Sequence, residues 1–141
     1  MKNFSSRMTK LETALYAWTA LNVAIGTWVL LTGQIHTFGS GLAAWIPLLI
    51  GLPSAGFLLY RLRKPTRAIL LFGTLFWVLQ TISVQVPDAL YKFRLGISFD
   101  FRLTDNPNYV VTINLFAIVV SILFAIAAAD RPASANQVAT A

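Results

Sequence analysis

The chain has 141 residues, of which 57% are hydrophobic and 11% charged, with a net charge of +6 and a mean hydropathy of +0.68. A water-soluble domain carries about 25% charged residues, so this composition predicts lipid as the surroundings of most of the chain. The absence of cysteine excludes disulfides, thiolate metal sites and thiol nucleophiles, and the single histidine, His36, is too few for a bis-histidine haem or a zinc site built on several imidazoles.

The first apolar run extends from Leu11 to Thr32. Thr9 and Glu12 before it have the spacing of a capping box, in which each side chain satisfies the other's free amide. Lys2, Arg7 and Lys10 also precede the run, as in a signal peptide. The run is too long for that reading, contains Trp18, Asn22 and Trp28, and lacks a small-residue cleavage site. A turn-rich loop, Gly33 to Gly41, leads to the second run, Leu42 to Leu62, where Pro47 and Pro53 predict kinks. The third run is Ala68 to Val86, stopped by Pro87. The fourth is Tyr109 to Ala129, with Asn106 as its expected N-cap and Pro107 in the first turn.

These runs predict an all-α polytopic membrane protein. Four transmembrane helices, at about 11–32, 42–62, 68–86 and 109–129, form one domain over 1–132, followed by a flexible tail over 133–141. Basic residues set the expected orientation. Lys2, Arg7 and Lys10 stand before the first run, and Arg61, Arg63, Lys64 and Arg67 join the second to the third, whereas the first loop has no Lys or Arg. Positive-inside counting places both termini in the cytoplasm of a cell membrane of bacterial inner-membrane type.

The connection between the third and fourth runs is not helical in pattern. From Tyr91 to Thr104 every odd position is apolar or aromatic and every even one is polar, charged or glycine. Strict alternation is the period of a strand with one covered face. We expect a short extracytoplasmic β-hairpin-like or bent extended segment at 91–104, with Gly96 or Ser98 near its turn or bulge, whose aromatic face packs on its own bundle as a lid or binds a partner through Tyr91, Phe93, Phe99 and Phe101. Asp100 and Arg102 share its polar face and would pair with Lys92 or Arg94 across the hairpin.

Polar residues within the runs form stripes. Thr19, Asn22, Gly26 and Gly33 share a face of the first, and Asn114, Ala117, Ser121, Ala125 and Ala128 a face of the fourth. Such stripes let membrane helices approach and hydrogen-bond. Asn22, Gln80, Gln85 and Asn114 are therefore candidates for interhelical contacts or a polar pocket. No Asp, Glu, Lys or Arg lies mid-run, which argues against a proton-coupled pump.

No catalytic, cofactor or metal signature is expected, and the basic residues fit lipid headgroups better than nucleic acid. The expected function is a non-enzymatic accessory or assembly subunit of a larger membrane complex, with lipids and other membrane subunits, or further copies of itself, as partners. The alternative is an oligomeric carrier or channel for a small neutral or lipidic molecule, hydrogen-bonded by Asn22, Gln80 and Asn114. Least favoured is an enzyme acting on lipid-linked substrates at the outer face through Asp88, Asp100 or His36.

Overall fold

A computed structural model of the chain describes residues 8–33, 45, 47–86, 89–93, 95–104, 106 and 108–131. The first helix, α1, spans Lys10–Leu31. Its capping box forms as the sequence predicts: the Thr9 amide donates to Glu12 Oε2 (2.7 Å) and the Glu12 amide to Thr9 Oγ1 (3.2 Å). At the other end Thr32 caps the helix and Gly33 takes a positive φ of 69°, a conformation that suits glycine after a last turn.

A π-helical turn, Pro47–Gly51, runs directly into α2, Leu52–Arg61, with Pro53 in the first turn of α2. The π-helical turn thus lies where the sequence predicts kinks, at Pro47 and just before Pro53. After a short turn Thr66 caps α3, Arg67–Val78, accepting from the Ile69 amide.

Beyond Val78 the structure departs from the sequence expectation. Residues Ile82–Val86 are not the end of a helix but a strand, β1, followed by β2, Ala89–Lys92, and β3, Asp100–Arg102. The fourth apolar run likewise opens as a strand, β4, Val110–Asn114, before α4 begins at Leu115 and continues to Asp130. The four strands form one antiparallel sheet in the order β2-β1-β4-β3.

The all-α, four-span architecture is thus incorrect. Among the described residues one helix, Lys10–Leu31, is long and apolar enough to cross a membrane, while α2, α3 and α4 have 10, 12 and 16 residues. Hydropathy cannot separate a buried strand from a helix segment, and here the local chemistry favours the strand. Ile82-Ser83-Val84-Gln85-Val86 alternates, and Val110-Val111-Thr112-Ile113 is four β-branched residues in succession. Asn106 is not a helix cap either. Its Oδ1 accepts from the Asn108 amide in a turn between β3 and β4, and the cap of α4 is Asn114, which accepts from Ala117.

Of the two forms expected for 91–104, the hairpin is incorrect. β2 and β3 stand on opposite edges of the sheet with β1 and β4 between them, so they do not pair with each other. Asp100 and Arg102 lie opposite Asn114 and Thr112 of β4 instead of opposite Lys92. Because α3 leads into β1 and β4 into α4, the central strands prolong an antiparallel helix pair. The Asn114 amide donates to the Thr81 carbonyl (2.7 Å), fastening the two helix-to-strand switches together.

The core lies between the helices and under the sheet, with Leu58, Leu70, Trp77 and Phe124 fully covered. Phe124 packs on Gly73, where a Cβ would strike its ring. At the opposite end from the sheet, Arg131 joins α4 to α1. Its Nη2 donates to Glu12 Oε2 (2.8 Å) and its Nε to Glu12 Oε1, so the buried Glu12 serves as both cap and ion-pair partner. These hydrogen bonds raise the Arg131 pKa above its ordinary value and keep the guanidinium charged.

Candidate functional site: a clamped loop beneath an apolar sheet face

Residues 93–99 cross from one edge of the sheet to the other, and three side-chain amides hold that crossing. The Leu95 amide donates to Gln80 Oε1 (2.9 Å), the Ile97 amide to Asn22 Oδ1 (3.1 Å) and the Phe99 amide to Asn114 Oδ1 (3.3 Å). The donors alternate along an extended stretch, and the acceptors come from α1, the end of α3 and the cap of α4. Asn22, Gln80 and Asn114 are each at most 2% exposed. Burying such groups unpaired costs about 1–3 kcal/mol each, so the loop and the amides require one another. The Phe99 carbonyl completes the crossing by accepting from the Leu115 amide (2.9 Å).

Side chains explain the path. Phe93 turns inward against Gly51 and edge-on to Phe76, with ring centroids 6.0 Å apart. Leu95 is buried against Gly26 and Leu52. Between Leu95 and Ile97 the chain must reverse its lean, and Gly96 does so at a φ of 83°; a Cβ there would land on the Asn22 amide. Asn22 is itself aimed by donating through Nδ2 to the Trp18 carbonyl (2.8 Å).

The structure thus brings together three of the four polar candidates and leaves out the fourth. Gln85 lies exposed on β1, between Leu90 and Val110. Gln80 Nε2, Trp18 Nε1 and Trp77 Nε1 are buried donors with no acceptor among the described residues.

The four aromatic candidates divide as well. Phe93 is in the core, whereas Phe99 and Phe101 are each 59% exposed. Tyr91 occupies the register position opposite Val84, and its side chain lies outside the described set. Register shows what Phe101 belongs to. Phe101, Ile113 and Ile82 stand in one row across the sheet, with Val111 and Val84 in the next row on the same face. The opposite face carries Ser83 and Asn114, both buried. That face also carries Gln85, Asp100 and Arg102, all exposed, so the sheet covers polar groups only where the helices reach it, while Ile82 and Phe101 on the apolar face point outward.

The helices repeat this inversion. α1 buries Thr19, Asn22 and Gly26 and exposes Leu21, Trp28 and Leu31; α4 buries Ala117, Ser121 and Ala128 and exposes Val119, Ile122 and Ile126. His36, Asp88, Asp105 and the tail 133–141 lie outside the described residues, and Asp100 is an exposed residue of β3. Among the described residues no three His, Asp or Glu side chains gather as a metal site would need. Compared with protein families, characterised proteins and solved structures, the chain matches none.

Proposed function

We propose that this chain is a membrane-embedded accessory or assembly subunit that presents its outward sheet face to a partner subunit. The observation that carries the reading is the conflict between that face and the edges around it. Ile82, Phe99, Phe101 and Leu103 are all about half exposed or more, a patch that water does not tolerate well at this size. Yet among the described residues the sheet is open, and unpaired strand edges are not stable in hydrocarbon. Neither solvent suits the surface by itself, whereas a protein partner covers apolar side chains and meets edge groups together.

The membrane setting draws on the helices. On α1 and α4 large apolar side chains such as Trp28, Leu31, Val119 and Ile122 are exposed while Thr19, Asn22 and Ser121 are buried, although Leu15 and Phe124 of the same helices also pack inward. α1 is about 33 Å long at 1.5 Å per residue, enough for hydrocarbon of about 30 Å, and its most apolar stretch is only 22% buried by the rest of the chain. The ion-paired end, which carries Lys10, Arg131 and the basic turn Arg61–Arg67, is the end we assign to the cytoplasm. A carrier route past Asn22, Gln80 and Asn114 has less support, because the loop occupies their oxygens.

Photo-crosslinking from position 101 in intact cells tests the reading. We expect one dominant protein adduct from Phe101, repeated at Leu103 and absent from Leu75 on the outer face of α3. Adducts to lipid alone from all three positions would overturn it.

A further inference from the structure

The turn between α2 and α3 forms an open surface cavity of about 390 Å³ lined by Tyr60, Arg61, Arg63, Lys64 and Thr66. That size lies within the range of small-molecule sites, about 300–1,000 Å³. All four cations of the turn, Arg61, Arg63, Lys64 and Arg67, are exposed, and none has a carboxylate partner among the described residues. The sequence offers no acidic residue between Glu12 and Asp88, and Glu12 is already committed to Arg131. Four like charges within seven residues repel one another, so the fold holds this turn together while lacking the anion that would relieve it.

Two details give the cavity directional chemistry. The Arg63 guanidinium lies over the Tyr60 ring, 5.8 Å from its centroid, an arrangement that restricts the guanidinium plane. Thr66, which also lines the cavity, caps α3 by accepting from the Ile69 amide, so the positive end of a twelve-residue helix starts at the same place. Planar forks, an ammonium group and a hydroxyl around one opening are the donors a phosphoryl group accepts from. Tyr60, 66% exposed, suits the headgroup layer.

We propose that this cavity is a binding site for a phosphoryl anion, supplied by the headgroup of an anionic phospholipid or by a free phosphate ester. The lipid source rests on the membrane reading above; the site does not. Thermal melting of the detergent-purified protein tests it, with phosphatidylglycerol, phosphatidylcholine or glycerol phosphate added in turn. Phosphatidylglycerol is expected to raise the wild-type Tm by about 5 °C, phosphatidylcholine by less than about 1 °C, with the difference vanishing near 1 M salt. The triple variant Arg61→Gln, Arg63→Gln, Lys64→Gln should lose the response, with a basal Tm at or above that of wild type because the repulsion within the turn is relieved. Should it fail to accumulate, Tyr60→Ala is expected to at least halve the response.

A shift with glycerol phosphate equal to that with phosphatidylglycerol supports the site and assigns it a soluble ester. A shift with the lipid alone supports it and assigns the headgroup. Equal shifts with the two lipids and none with glycerol phosphate, or an unchanged response in the triple variant, would overturn it. Carbonate extraction separates the two readings: a protein that washes off membranes yet responds to glycerol phosphate ends the membrane reading and keeps the site.

Discussion

Phe93 and Leu95 on one side of Gly96, and Phe99, Phe101 and Leu103 on the other, continue one alternating sequence pattern and meet opposite fates. Before Gly96, Phe93 and Leu95 enter the molecule and fill gaps left by Gly51 and Gly26. After Gly96 the same periodicity turns Phe99, Phe101 and Leu103 outward. Alternation reports that a chain is extended and two-faced; what covers the apolar face depends on the neighbours. Here the changeover falls at Gly96, and the amides on either side of it are gripped by Gln80 and Asn22.

The most severe way to break this division is at the changeover. Gly96→Val combines the cost of a positive φ with a collision at Asn22, and we expect a loss of about 3–5 kcal/mol, read as failure to accumulate folded protein. Leu95→Ala leaves a cavity against Gly26 and Leu52 and should cost about 2–4 kcal/mol in a melting or denaturant titration. Asn22→Ala removes one of the three grips and strands the Ile97 amide, for about 1–3 kcal/mol. Smallest for stability is Phe101→Ser, expected within about 0.5 kcal/mol of wild type because the side chain is exposed. If the outer half serves a partner, that same substitution abolishes the crosslinked adduct, whereas Asn22→Ala lowers adduct and fold together.

How much of this was legible in the sequence varies along the chain. α1 was, because its cap depends on two residues three apart and its stripe of Thr19, Asn22 and Gly26 on helical spacing; the expected Leu11 to Thr32 differs from Lys10–Leu31 by one residue at each end. The buried amides were visible as polar groups in apolar runs, but their ligand was not. A side chain that accepts from a backbone amide 75 residues away leaves no mark in either local pattern. The strands β1 and β4 were misread for a different reason. A window long enough to detect a membrane span averages over five residues of strand, so Ile82–Val86 and Val110–Asn114 were absorbed into their helices. The β-branched run before Asn114 was the signal that would have separated them. The Glu12–Arg131 pair was hidden because Thr9 already accounts for Glu12.

The clamp also dictates an order of assembly. Its three acceptors sit at positions 22, 80 and 114, so no fragment of the chain short of α4 contains a complete socket. During synthesis the crossing 93–99 emerges before Asn114 does, and its amides exchange water for the three side-chain oxygens only when α1, α3 and the start of α4 have converged. Contacts of such sequence separation close late, after local helices have formed. Closure of this loop therefore acts as a coincidence detector for folding: the outward sheet face acquires its shape only once the first and last helices are both in place.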